Sequence, residues 1–311
     1  MVAQTSSLIE PTTVVRRQRR RTTNIPPSVG FGLVAPSLVV FLGFVAVPVM
    51  AVFLTSFSRW TGFSVAAIEW IGIGNYVGLF NDPIFLRAFV HTLVFTVATT
   101  VLLNLAGFGL AVLVHTRVPG SAFLKAVLFL PVLLSPVIVG LMWSGLLRGV
   151  GGGVNQLLDF LGLIDRPVFW LGEWRFALAA IILATVWQFA GYDMILYYAG
   201  LQNVPQSLIE AAELDGTGFF GKLRHVVVPS LYHVMSVVVL LNIIGGLRIF
   251  DIVYVMTRGG PNRSTEVLAT YMYEQGFQLN AMGVASAIAV IIVLLAVGFS
   301  VVRLRVLRHV A

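Results

Sequence analysis

The chain has 311 residues, 58% of them hydrophobic and only 11% charged, and a mean hydropathy of +0.93. A soluble domain carries roughly a quarter charged residues, so this balance excludes an ordinary soluble fold and indicates an integral membrane protein. The absence of cysteine excludes disulfides, thiolate metal sites and a cysteine nucleophile, and leaves the redox compartment undetermined.

Residues 1–30 contain Pro11, Pro26, Pro27, several threonines and the cluster Arg16, Arg17, Arg19, Arg20 and Arg21. This composition predicts a disordered basic cytoplasmic tail lying against anionic lipid headgroups. A cleaved signal peptide fits poorly, because the apolar run that follows is too long and no small-x-small site closes it. A twin-arginine export signal lacks its apolar pair, so the first span is expected to be retained.

Uncharged runs follow at 22–58, 88–116, 126–147, 176–192, 225–247 and 275–302. About 20 apolar residues cross the hydrocarbon core, so the runs predict an all-α membrane protein with six transmembrane helices. The fourth continues past Asp193 towards Leu201 and encloses that single carboxylate. The loops on one side, with both chain ends, carry twelve Lys and Arg, among them Arg117, Lys125, Lys222, Arg224 and Arg303. Those on the other side carry eight, balanced by as many acids, which places both termini in the cytoplasm. The net charge of +7 is therefore a topology signal, and nucleic acid is not an expected partner.

Pro36 and Pro48 interrupt the first span, Pro131 and Pro136 the third, and Gly245-Gly246 the fifth. Small residues such as Gly107, Gly109, Ala285, Ser286 and Ala289 suit close helix packing. Together the breaks favour a bundle with internal space, where freed backbone groups find partners or water.

Catalytic patterns are missing. The five histidines are scattered and no His-Glu-x-x-His or Gly-x-Ser-x-Gly occurs, so neither a zinc site nor a serine nucleophile is expected. Tyr192-Asp193 has no second embedded aspartate to complete a carboxylate dyad. Residues 216–223 nearly spell a phosphate loop, but Leu223 stands where the magnesium-binding hydroxyl belongs.

Between the fourth and fifth runs lies a polar segment, Glu210-Ala211-Ala212-Glu213-Leu214-Asp215-Gly216. Pro205 suits a first helical turn and Gly216 a left-handed end, so a short helix is expected over about 205–215. Thr217 is placed to cap a second helix carrying Phe220, Leu223 and Val227 at helical spacing, until Pro229 redirects the chain. An amphipathic connector lying on the membrane is the alternative to a docking element.

Glu210-Ala211-Ala212-x-x-Asp215-Gly216, thirteen residues before Pro229, resembles the EAA loop of binding-protein-dependent ABC importer permeases. Trp187-x-x-x-Gly191-Tyr192-x-Met194, Ala199-Gly200-Leu201-Gln202-x-x-Pro205 and Phe250-Asp251-x-Val253-Tyr254-Val255-Met256-Thr257-x-Gly259-Gly260-Pro261 resemble the carbohydrate branch of that family. Ala35-Pro36, Gly74-Asn75-Tyr76, Asp82-Pro83, Pro131 and Gly283-x-Ala285-Ser286-Ala287 are similar to maltose and glycerol-phosphate type permeases. Thr217, often alanine, and Val228, often leucine, depart mildly from the pattern.

The resemblance implies a type I ABC importer permease fold, with a six-span membrane domain at 31–311 and an EAA coupling loop at about 203–230. It implies a second similar permease, two ATPase subunits and an extracytoplasmic solute-binding protein as partners. ATP and magnesium would be bound by the ATPases, leaving no cofactor, metal or catalytic residue in this chain. Glu210, Ala211, Ala212, Asp215 and Gly216 would form the element that docks in an ATPase cleft. The expected cargo is a sugar or sugar derivative, with a glycerol-phosphate-like or other small solute as the alternative. A stand-alone secondary transporter fits less well, because no internal repeat is evident.

Neutral sugars are held by hydrogen-bonding side chains and aromatic faces, which makes the polar residues of the fourth and fifth spans the pathway candidates. Gln188, Tyr192, Asp193 and Tyr197 recur near one helical turn apart. Asn242 lies mid-span, where facing lipid would be costly, and is expected to face the bundle interior as a substrate ligand or an interhelical hydrogen bond. Arg248 is a possible ion-pair partner for Asp193, or for Asp251 three residues on.

Overall fold

The computed structural model describes residues 27–115 and 120–308, so most of the expected basic tail lies outside the described residues. Contacts divide the chain into two units, Met1–Val49 and Met50–Ala311, each described by itself. In the first, a helix begins at Pro27 and passes through a π-helical turn at Leu42–Ala46. That turn lies directly before Pro48, whose ring would otherwise press on the carbonyl four residues back. None of residues 31–49 is buried.

Among the described residues, four helices are long and apolar enough to cross a membrane: α1 (Phe31–Thr55), α2 (Pro83–His115), α5 (Trp174–Leu201) and α11 (Met282–Arg303). Two further spans are possible if bent pairs count as one each: α3 (Ser121–Leu133) with α4 (Pro136–Leu146), and α7 (Phe219–Ser230) with α8 (Tyr232–Leu247). The third and fifth uncharged runs are thus not straight helices. The first pair bends by 97° and the second by 73°. At the first break Leu134 and Ser135 are extended, the conformation favoured before proline, and the Ser135 hydroxyl accepts from Val137 N at 3.3 Å to start α4. In α7 a second π-helical turn, Leu223–Val227, again precedes a proline, Pro229.

α2 starts at Pro83, before its uncharged run, and carries Arg87 in its second turn. Asp82 explains the early start: its Oδ1 accepts from Ile84 N at 2.8 Å with proline at the first helical position. Its Oδ2 accepts from Tyr271 OH.

The core lies along α2 and α5, which run in the same direction. Near their starts Phe95 packs with Ile181, Ala184, Ile252 and Val267; near their ends Ala111 and Val114 pack with Met194, Tyr197 and Leu231. Gly107 permits the approach, because a Cβ there would overlap Asp193. Gly246 of α8 lies as closely against Thr96.

At the end of the bundle where α2 and α5 begin, the strands β1 (Ser58–Arg59) and β2 (Glu69–Trp70) pair antiparallel. Asn75 Nδ2 donates to the Ser56 and Ser58 carbonyls at 2.9 and 2.8 Å, and Gly283 lets the Ser58 carbonyl reach the start of α11. Two short helices, α9 (Asp251–Met256) and α10 (Leu268–Tyr273), occupy the same end. The helix α6 (Gln206–Leu214) lies beyond the other end of α5.

Candidate functional site: an intramembrane cavity and a polar loop helix

A cavity of about 450 Å³ opens between α2, α4, α5 and α8. Gln188, Tyr192, Asn242, Arg248 and Asp251, five of the seven expected pathway residues, line it with Phe189, Phe250, Thr99 and Thr185. The residues between α8 and α9 are not helical, so Arg248 and Phe250 reach the cavity from a chain break. Non-helical backbone at this depth is tolerated where it lines a cavity.

Gln188 is 1% exposed; its Nε2 donates to the Leu134 carbonyl at 2.9 Å, while Oε1 has no partner among the described residues. A buried carbonyl oxygen without a donor is costly, and a ligand hydroxyl or a water can satisfy it. Tyr192 is 39% exposed and presents its ring to the same space.

Asp193 and Tyr197 sit behind the wall. Asn242 Nδ2 donates to Asp193 Oδ2 at 2.6 Å, tying α8 to α5. Tyr197 OH donates to Asn104 Oδ1, and Asn104 Nδ2 donates to the Thr100 carbonyl at 2.7 Å. The expected pairing of Asp193 with Arg248 is therefore corrected: its partner is the amide of Asn242. Arg248 and Asp251 form no ion pair with each other either, and both are exposed at the cavity rim. Of the two roles open to Asn242, the interhelical hydrogen bond is present, and the residue borders the cavity as well. The sequence reading missed Asn104, although a lone amide within the uncharged run 88–116 carries the same signal as Asn242.

The loop helix α6 starts one residue later than expected, with Pro205 as the cap residue outside the first turn. Its end is a Schellman turn: Thr217 N donates to Ala212 O at 2.9 Å and Gly216 N to Glu213 O at 3.0 Å. This geometry needs a left-handed residue, and Gly216 supplies it at φ 72°. Thr217 does not cap α7; Gly218 occupies that position and has no side chain to make a cap bond, and the Thr217 methyl lies against Gly221. Ala212 is buried and Ala211 exposed, whereas Glu210 and Asp215 are exposed without an ion pair among the described residues. Glu213 pairs with Lys222 at 2.7 Å and fixes α6 to α7. Leu214 and Phe220 are 90% and 81% exposed, so an apolar surface flanks the acids.

At the opposite end, Arg263 binds Glu274 through two 2.7 Å hydrogen bonds, which raise its pKa further above the ordinary guanidinium value. Burial pushes the Glu266 carboxyl up, against the hydrogen bond that Thr270 donates at 2.5 Å and the charge of Arg263.

Nothing in this arrangement joins a nucleophile to a base among the described residues. It can bind a polar solute inside a membrane and present a helix to a partner. The family model for the binding-protein-dependent transport system inner membrane component matches residues 104–308. The chain belongs to this family. It is a permease subunit of an ABC importer, a multi-pass membrane component and not an enzyme.

Among its relatives, a probable ABC transporter permease, YurN of Bacillus subtilis, is 34% identical over 87% of the chain and 92% of the relative. The trehalose/maltose transport permease MalF of Thermococcus litoralis is 32% identical over 90% and 93%. The lactose transport permease LacF of Rhizobium radiobacter is 31% identical over 86% and 89%. A crystal structure of a bacterial alginate ABC transporter, in complex with an alginate pentasaccharide-bound periplasmic protein, shares the fold. Its TM-score is 0.77 at 21% identity, covering 89% of this chain and 92% of that one.

Proposed function

We propose that this permease carries a sugar or sugar derivative through the cavity bordered by Gln188, Tyr192, Asn242, Arg248 and Asp251. The observation that carries the reading is this cavity, with an unmet acceptor on Gln188, in a chain akin to permeases named for trehalose, maltose and lactose. Hydroxyl-rich solutes supply the donors and acceptors such a wall needs.

In this reading each bent pair is one span, giving six spans in residues 31–311 with both termini in the cytoplasm. Residues 1–30 form the basic tail, and α6 is the cytoplasmic coupling helix. A second permease completes the pathway, an extracytoplasmic solute-binding protein delivers the solute, and two ATPases bind ATP and magnesium. Glu210, Ala211, Ala212, Asp215 and Gly216 dock on an ATPase, and nucleotide-driven closure biases the permease through those contacts. The exposed acids beside exposed Leu214 and Phe220 favour a protein partner for α6.

The test is isolation of the tagged chain from its native membrane with and without Glu210→Lys. Recovery of an ABC-type ATPase with the wild type and its loss from the variant is the expected outcome. A folded wild type that recovers no ATPase overturns the coupling assignment.

A further inference from the structure

Cavity and outer loops are joined by a row of aromatic rings. Phe250 stacks on Tyr254 with centroids 5.2 Å apart and planes at 18°. Tyr254 meets Tyr273 edge-on at 5.2 Å, and Tyr273 stacks on Phe277 at 5.3 Å and 28°. Phe250 also touches Tyr273, at 5.4 Å. The pairs 250/254 and 273/277 are each four residues apart: Phe250, just before α9, lies against Tyr254 of α9, and Tyr273, the last residue of α10, lies against Phe277 of the turn that follows.

The row has two open ends. Phe250 lines the 450 Å³ intramembrane cavity, and Tyr254 lines a second cavity of about 420 Å³ with Arg258, Asn262, Glu274 and Gln278. Phe277 is 65% exposed at the far end, and Phe250, Tyr254 and Tyr273 are partly exposed. A row serving only to pack α9 against α10 would bury its rings, as Phe85 and Phe95 are buried elsewhere in the bundle.

We propose that Phe250, Tyr254, Tyr273 and Phe277 form an aromatic track along which a pyranose solute passes between the extracytoplasmic mouth and the intramembrane cavity. The inference rests on the sugar reading above. Pyranose rings carry apolar C–H faces that lie on aromatic faces while their hydroxyls stay in water or reach polar groups. Stacking is weakly directional, so a sugar passes from one platform to the next without exchanging a set of hydrogen bonds at each step. Polar groups flank both ends: Arg248 and Asp251 at the cavity, Asn262 and Gln278 at the outer pocket.

The test uses the complete importer in liposomes, with ATP-driven uptake of radiolabelled maltose, trehalose and lactose as the probes. Tyr254→Leu and Phe277→Leu should each lower the maximal uptake rate by roughly two- to tenfold, the range one aromatic contact accounts for. Tyr254→Phe and Phe277→Trp, which keep a ring, should restore it. Phe277 is exposed and its stacking partner is Tyr273, so its leucine variant gives up that one ring contact without opening a cavity, and recovery of the assembled complex should match the wild type. Wild-type uptake by both leucine variants of a sugar that the importer carries overturns the track and leaves the sugar reading intact. An assembled, ATP-hydrolysing importer that moves none of these three, nor any of a wider set of mono- and oligosaccharides and their derivatives, overturns both.

Discussion

The α6 loop and the seam between α5 and α8 are both organised by acidic residues, in a chain that has only 13, yet they treat them oppositely. In the seam, Asp193 is 1% exposed and held by Asn242. In the loop, Glu210 and Asp215 are exposed without an ion pair among the described residues, on a helix whose end is rigidly defined by Gly216. The bond to Oδ2 ties the Asp193 carboxylate into the seam while Oδ1 has no partner among the described residues, so losing that bond as well is expensive and the pair reads as architecture. An exposed, solvated carboxylate without an ion pair, on a rigid element beside exposed apolar side chains, reads as a surface open to a partner.

The largest effect should come from breaking the rigid end of the loop helix. Proline cannot adopt the positive φ of Gly216, so Gly216→Pro removes the Schellman turn and with it the direction in which the chain passes from α6 into α7. Gly216→Pro should abolish ATP-driven uptake while the chain still inserts. Membrane-fraction immunoblots and uptake in vesicles check this together, and a normal rate would falsify the coupling role of the turn.

The seam should respond in stability first. Asn242→Ala strands the Asp193 oxygen and should cost about 1–3 kcal/mol. The double variant with Asp193→Ala should recover part of that loss, since the pair couples directly. Thermal unfolding of the purified complex gives the cycle, and strictly additive losses would mean that the hydrogen bond contributes nothing. Asn242→Ala should also change uptake rate or selectivity, because Asn242 borders the cavity.

This contrast was only partly visible in the sequence. Uncharged runs located the membrane segments, since charge is expensive in lipid, and Gly216 announced the left-handed helix end. Asp82-Pro83 carries a helix-start signal, yet the uncharged run begins only at residue 88, because Arg87 interrupts the run without interrupting the helix. The bends of 97° and 73° were not legible: Pro131, Pro136 and Pro229 marked where regular hydrogen bonding fails, but the direction of a bend depends on what packs around it. Partner choice was equally hidden. Asp193 had Arg248 as its apparent match by charge, and the three-dimensional neighbour is Asn242, 49 residues away in sequence.

A smaller effect belongs to the ion pair that joins α6 to α7. Lys222 and Glu213 are partly solvated, so reversing either charge should cost no more than about 1 kcal/mol in stability. Its influence on coupling should be larger than that on stability if α6 and α7 move as one lever. Glu213→Lys and Lys222→Glu should each slow uptake, and the combined swap should recover it. Swapped and single variants with equal rates would remove the pair from the coupling path.

The smallest expected effect tests a group between the two extremes, Glu266, which is 5% exposed but shares a cluster with Arg263, Thr270 and Glu274. Burial raises its pKa, so the folded chain holds a proton that the unfolded chain releases near the ordinary carboxylate value. Its contribution to stability is then present below that value, falls as pH rises from there through the folded pKa, and levels off above it. Glu266→Gln imitates the protonated form and should flatten this part of the profile while keeping a partner for Thr270. Thermal midpoints of wild type and variant across the acidic range decide it: parallel profiles would show that Arg263 and Thr270 already hold Glu266 charged, and would move it to the side of the satisfied ion pairs.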